Sequence, residues 1–366
     1  MARAPRIGVI GAGIVGLSAA YALAEQAVEV RVYESGVPGN GQSGGDSRIF
    51  RHGHDDPRLV AFARGSRAVW DEWAERLAVE LVSKDGVVAL GPAVEARLRM
   101  LERVGGVTAR RIQPDELSEL LPPLAGYAGT AMVEETGGAV RVRAAIQALA
   151  DELRGSLHAD EVISLRSTGP ATVEVRTGGA TWEHERVVVC AGRGTAPLAR
   201  GVGLSLPVRL AAHVRGTYRV RGEPPANLAC LLDSSGDFGE VGIYAAPSPG
   251  NRGYGVGLSQ TVDVQEDGSL VDPDALASLD ERASAYVARA LPGLDPEPVE
   301  HRHCWVTQLP WSTDGVAVWE TEGIFFVAGH NLFKHAPGLG RALARAALGE
   351  ELASELRPDA KLGEPP

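Results

Sequence analysis

The stretch RIGVIGAGIVGLSAAYALAEQAVEVRVYE, residues 6–34, decides the fold. Arg6 to Ile10 reads as a short buried strand, Gly11 to Gly16 as a turn, and Leu17 to Gln26 as an alanine-rich helix. Val28 to Tyr33 alternates like a second strand and ends at Glu34. A strand, a crossover helix and a second strand imply a parallel sheet. The turn is a GxGxxG. Gly11 permits the tight bend, Gly13 lets the backbone approach a pyrophosphate, and Gly16 permits close packing of helix on strand. Helix amides, including those of Ile14 and Val15, then face the phosphates. Glu34, 18 residues beyond Gly16, stands where a carboxylate can accept both ribose hydroxyls, which favours NAD or FAD over a 2′-phosphorylated dinucleotide.

The chain has 366 residues, which at roughly 150 per domain suggests about two domains. Hydrophobic residues at 44% and charged residues at 23% allow a sizeable core and exclude disordered or collagen-like structure. With 36 basic against 47 acidic residues, net −11, and no basic run, nucleic acid is excluded as an expected partner. Cys190, Cys230 and Cys304 form neither a disulfide framework nor a CxxC metal pair, so a reducing, cytoplasmic location and no metal are expected. Ile7 to Ala24, preceded by Arg3 and Arg6, has the outline of a signal peptide. Its glycine spacing is better explained by the strand, turn and helix, and no other stretch approaches the roughly 20 apolar residues of a bilayer span. A soluble chain without membrane association is the expectation, as a monomer or small homo-oligomer.

Further along, Ser35 to Ser47 reads as a glycine-rich loop of the kind that lies against a ligand. Pro57 to Leu81 is helical, with Leu59, Phe62, Val69, Trp70, Trp73 and Leu77 as its core face. Pro114 to Leu120 is a short helix and Arg141 to Leu153 another. Val162 to Leu165, Ala171 to Arg176 and Thr181 to Val189 alternate as strands. Between Pro207 and Gly257 short strands, including Val214 to Val220 and Val241 to Ala246, imply mainly antiparallel structure. Helices are expected at Ala275 to Ala290 and Gly340 to Leu356, a buried strand at Gly323 to Val327, and a frayed tail after Arg357.

Two later segments repeat the pattern of a strand entering a small-residue turn: Thr181 to Gly192, ending Val189-Cys190-Ala191-Gly192, and Gly323 to His330, ending Ala328-Gly329-His330 and continuing to Lys334. Three such backbone approaches spread over the chain suit a cofactor lying extended through the domain. Lysine is rare, occurring only at 84, 334 and 361, so Lys334 inside such a segment stands out.

These features, with Gly45-Asp46-Ser47-Arg48-Ile49-Phe50-Arg51-His52, Cys304 and Phe333-Lys334…Gly338-Leu339-Gly340, resemble the glycine oxidase and sarcosine oxidase branch of FAD-dependent amine oxidoreductases over essentially the full length. The resemblance implies a mixed α/β fold: a Rossmann-type FAD-binding domain from residues 1–83, 141–210 and 310–366, and a mostly antiparallel substrate domain from 84–140 and 211–309. It implies FAD contacts from Gly11, Gly13, Ile14, Val15, Gly16, Glu34, Ser43, Ser47, Arg48, Val162, Ala191, Gly192, Cys304, Gly329 and Lys334. By the same resemblance Arg48 lies close to the flavin ring, and Arg51 with Lys334 grips a substrate carboxylate, a pairing that suits carboxylate chemistry in a partly dry site. The bland alternative for Arg51 is a surface ion pair with Asp55 or Asp56.

Cys304 aligns with a cysteine that in this branch forms a thioether to the flavin. Reaction needs a thiolate in an electropositive setting, for which His301, Arg302 and His303 are the neighbouring candidates; the alternative is an inert thiol, as for Cys190 and Cys230. Two positions depart from the family pattern. Gly45 replaces a histidine beside the flavin, and Gly255 replaces a lysine that promotes reaction with oxygen. Either another cation substitutes for that lysine or the electrons go to a different acceptor. His213, Tyr244, Tyr254, Trp305 and Trp311 are candidate pocket residues, with ordinary core packing the equal alternative for each. The implied reaction is oxidation of the C–N bond of a small amino or imino acid by hydride transfer to FAD, with hydrogen peroxide formed if oxygen is the acceptor. The alternatives are a flavin dehydrogenase, an NAD dehydrogenase and a nonenzymatic dinucleotide-binding sensor.

Overall fold

The computed structural model describes residues 6–265 and 267–365, so Arg3 and the outer ends of the expected first-domain ranges lie outside the described residues. The opening strand Arg6–Ile10 pairs in parallel with Glu29–Glu34 on one side and Arg186–Val189 on the other. Around them a six-stranded sheet is completed by Leu157–Ala159, Ile324–Gly329 and, antiparallel at the edge, Val316–Thr321. Central strands buried on both faces need near-continuous apolar sequence, which Val187-Val188-Val189 and Ile324-Phe325-Phe326-Val327 supply.

The first helix runs Ile14–Ala24, starting three residues earlier than periodicity suggested, because the last glycine of the motif already belongs to its first turn. Almost all of it is buried, since helix Ala336–Ala347 packs across it so closely that a Cβ at Gly340 would meet the Ser18 backbone at 2.6 Å. That final helix is displaced toward the N-terminus from the expected Gly340 to Leu356. Pro337 fits at its first turn, where no backbone donor is required, and the apolar residues after Ala347 belong to turns instead. The tail is not frayed. Leu362 is fully buried, bridges to Val316, and the Gly363 N–H donates to the buried Asp56 carboxylate at 2.8 Å.

Helix Pro57–Leu77 buries Leu59, Val69, Trp70 and Trp73 as expected, while Phe62 and Leu77 are half-buried at its margin. The expected strand Thr181 to Val189 divides at Glu185: Thr181–His184 joins a separate three-stranded sheet, and Arg186–Val189 enters the main one. A nine-stranded, mainly antiparallel sheet forms the second layer, with strands drawn from residues 87–134 and 209–308. Its longest members, Arg209–Val220 and Leu294–Gln308, pair antiparallel and place His213 opposite Cys304. Sequence reading did not separate Leu294–Gln308 as a strand, because its exposed half is polar and carries two prolines. Ser47–Phe50, where the expected loop ends, pairs with Gly138–Arg141 between the two large sheets.

Candidate active site

The two glycines that frame the turn have no alternative. Gly11 has φ +94°, and a Cβ there would sit 2.5 Å from the Cys190 carbonyl oxygen; a Cβ on Gly16 would collide with the Gly11 carbonyl. The turn is therefore pressed between helix and neighbouring strand, leaving the amides of the helix start directed outward. The Ile14 N–H donates to Ser43 Oγ at 3.0 Å. Glu34 folds back beside the turn, accepting from Ala12 N–H and Gly36 N–H, each at 2.8 Å.

From here a cavity of about 320 Å³ extends into the second layer. Gly13, Ile14, Val15, Ser43, Arg48, Arg51, Gly192, Cys304, Gly329 and Lys334 all line it. Gly11, Gly16, Glu34, Ser47 and Ala191 lie outside that lining. Val162 is also apart: it opens strand Val162–Gly169, half-buried against the core around Ile10, Tyr33 and Val187.

The far end of the cavity is cationic. Arg48 donates to the Ser47 carbonyl at 2.9 Å and to the Gly44 carbonyl, and Arg215 donates to the same Ser47 carbonyl at 2.5 Å and to Ser47 Oγ at 2.9 Å. Neither arginine has a carboxylate partner among the described residues. Burial, with Arg215 and Arg302 nearby, lowers the Arg48 pKa, although an arginine stays charged in practice. Gly45 has φ +117°, and a Cβ there would meet Arg48 Nη1 at 2.8 Å, so the position where the family pattern has histidine is taken up by seating Arg48. Likewise a Cβ at Gly255 would lie 2.5 Å from Arg215 Nε. A second cation thus covers the position where the family pattern has lysine. The alternating glycines 253, 255 and 257 were the available signal that large side chains lie across this strand; Tyr244 covers Gly257.

Arg51 does not pair with Asp55 or Asp56. Its Nη2 donates to Asp314 Oδ2 at 2.5 Å, with Nη1 on the Gly53 carbonyl. Its loop is fixed by buried Glu134, which accepts from His52 N–H at 2.6 Å and Gly53 N–H at 3.0 Å. Burial opposes the Glu134 charge, but the bonds from His52 prevail and hold its pKa below the ordinary carboxylate value. Lys334 is 3% exposed, donates to the Asn331 carbonyl at 3.2 Å and lies 3.9 Å from Asp314 Oδ1. Burial pulls its pKa down to about 8 against the pull of Asp314. Asp314 has burial against it, yet Lys334, Arg51 and His54 hold it well below the usual carboxylate range. Arg48, Arg51, Arg215 and Lys334 thus face one lining carboxylate, Asp314. Asp314, Arg215 and Glu134 carry no motif and escape sequence reading, because only folding brings them to Arg51 and Arg48.

Cys304 lines the cavity, but His301 and His303 do not serve it. Strand alternation turns both toward Asp280, at 3.2 and 3.8 Å, on the opposite face. Of the cations that line the cavity, Arg48 is the one that interacts electrostatically with Cys304. Cys190 also lines the cavity, with burial raising its pKa to about 12, whereas Cys230 is fully buried. His213 and Tyr244 share a 2.8 Å hydrogen bond. Burial lowers His213 to about 3, and His330 across from it to about 4, so both rings are neutral. Trp305 lines the cavity. Tyr254 does not: it is core, donating to the Ala229 carbonyl at 2.7 Å, and Trp311 points away and donates to the Leu362 carbonyl.

A parallel sheet with a glycine turn, opening into a cavity that ends at unbalanced buried cations, defines a dinucleotide-binding redox scaffold. The fit to FAD rests on that continuity: helix amides at one end and, at the other, guanidinium groups suited to a ring system that gains negative charge on reduction. The family described as FAD dependent oxidoreductase matches residues 6–346, and the chain belongs to it. Monomeric sarcosine oxidase from Bacillus sp. (strain B-0618) is 24% identical, the match covering 93% of this chain and 91% of that protein. Glycine oxidase from Geobacillus kaustophilus (strain HTA426) is 28% identical over 96% of this chain and 95% of that one. Among solved structures, NikD, an unusual amino acid oxidase essential for nikkomycin biosynthesis, superposes with a TM-score of 0.82 at 19% identity, covering 96% of this chain and 97% of that one. The chain is an FAD-dependent oxidoreductase with a mixed α/β fold. Among the described residues, no helix is long and apolar enough to cross a membrane.

Proposed function

We propose that this enzyme oxidises the C–N bond of a small amino or imino acid, a secondary amine such as an N-methyl or cyclic amino acid, giving an imine and, with oxygen as acceptor, hydrogen peroxide. The observation that carries the reading is the pair Arg51 and Lys334 at the end of the FAD cavity. Two cations of different shape, one planar and one compact, can hold a carboxylate and so fix the neighbouring C–H and amine. FAD, when bound, supplies the hydride acceptor at N5 and the route for two electrons. The names of the sarcosine and glycine oxidases above support the amino-acid class.

Arg48 and Arg215 stabilise negative charge arising on that side of the cavity, from fixed positions that need no rearrangement. Arg215 supports oxygen as acceptor, since it supplies a cation over Gly255. His213 and His330, neutral throughout the physiological range, shape the pocket and add no charge. Cys304 is the candidate for covalent attachment of FAD, and the enzyme is read as cytoplasmic, in keeping with its three unpaired thiols.

The test is the visible spectrum of purified protein before and after acid precipitation, followed by anaerobic titration with a panel of amino and imino acids. Bleaching by a secondary amino acid and recovery in air with peroxide formation are expected. If no member of the panel bleaches the flavin, the substrate reading fails; if air restores the colour far more slowly than an artificial dye, the acceptor is not oxygen. Colour that stays in the pellet, and leaves it in Cys304→Ser, is the expected mark of covalent attachment.

A further inference from the structure

Resting on the carboxylate-clamp reading above, we propose that Asp314 sets specificity as a tethered carboxylate that occupies Arg51, so that a substrate carboxylate binds by taking Arg51 from it. The geometry is that of an occupied anion site. Asp314 Oδ2 accepts from Arg51 Nη2 at 2.5 Å and from His54 Nδ1 at 3.1 Å, while Oδ1 accepts from Asn331 Nδ2 and faces Lys334 Nζ at 3.9 Å. One carboxylate thus touches both members of the clamp.

The exchange is chemically balanced. When Arg51 turns to an incoming carboxylate, Asp314 keeps two donors, His54 and Asn331, and so remains a solvated anion without Arg51. His54 plays that part by its place, Nδ1–H donated to Asp314 and Nε2 without a partner among the described residues, and burial, which keeps the ring neutral, means that it adds no charge. The charge then also closes, since Arg51 and Lys334 together match Asp314 and one substrate carboxylate. A second carboxylate brought to the clamp itself would find both of its cations already matched, Arg48 and Arg215 being held on Ser47. At the clamp, an amino acid that brings one carboxylate is therefore selected over one that brings two to it.

Apparent affinity falls by the fraction of time the binding-competent state is populated, so a clamp held by Asp314 about nine-tenths of the time binds about tenfold more weakly than an open one. The experiment uses the FAD-loaded full chain and equilibrium titration followed by the flavin spectrum, with acetate and benzoate as amine-free probes and trimethylglycine as a probe carrying a fixed cation. In Asp314→Asn, close in size, all three are expected to bind about tenfold tighter, and succinate to gain no less than acetate. Weaker acetate and benzoate binding in the variant overturns the proposal and makes Asp314 a support for Arg51. Unchanged acetate with weakened trimethylglycine also overturns it, assigning Asp314 to the substrate amine. Asp314→Ala, titrated in parallel, gives the same discrimination should the asparagine variant fail to fold. Arg51→Ala separates the two readings: if it leaves acetate binding unchanged, the clamp itself is wrong, whereas loss of binding there with no tightening in Asp314→Asn refutes the tethered carboxylate alone.

Discussion

The two ends of the cavity are built by opposite means. At the glycine turn, recognition is a property of backbone: six consecutive residues bring amides to a surface, and what matters about Gly11 and Gly16 is the absence of side chains. At the cationic end, recognition is a property of side chains gathered from far apart, with Arg48 and Arg51 on one strand and loop, Arg215 in the second sheet, and Asp314 and Lys334 from the last part of the chain. A local backbone device tolerates almost any neighbour but no change of its own glycines. An assembled cluster tolerates conservative changes, and its behaviour depends on the balance of charge.

The comparison breaks most sharply at the backbone end. Gly16→Val places two γ-carbons where even a Cβ collides with the Gly11 carbonyl, so complete loss of bound flavin is expected, read as colourless protein after purification. Retained flavin would mean that the turn is not the cofactor's anchor.

At the cationic end, Glu134→Gln removes the charge and one acceptor from the loop that carries Arg51, and turns an amide N–H₂ toward an N–H that needs an acceptor. A loss of about 2 kcal/mol in unfolding free energy is expected, with weaker carboxylate binding, because a buried donor is left unsatisfied. Denaturant unfolding that matches the parent protein would show that the loop is held by other contacts.

The smallest effect sharpens the comparison through pH. Lys334 titrates at about 8 because burial disfavours its charge, with Asp314 and Glu134 opposing the fall and Arg51 adding to it. His54, His330 and the adjacent His335 are neutral well below that pH and stay silent. Carboxylate affinity should therefore be full below pH 8 and fall by about tenfold per pH unit above it, as the clamp loses one positive charge. Cofactor retention at the glycine turn should not change over the same range. Affinity that is level to pH 10 would remove Lys334 from the clamp.

What the sequence determined by itself was whatever is encoded locally or by period. The strand, turn and helix opening, Glu34, the core face of helix Pro57–Leu77 and the antiparallel second sheet all follow from neighbouring residues. Arg48, Arg51, Cys304 and Lys334 were legible through family resemblance, and the structure brings the four to one cavity. Tertiary structure decided the rest. Alternation along Leu294–Gln308 turned His301 and His303 away from Cys304, and packing made a tail that reads as polar and frayed close over Asp56. Arg215, buried, and Asp314, half-buried, joined the candidate site because folding set them beside other charges, and a charge acquires such a partner only when distant segments meet where water is scarce.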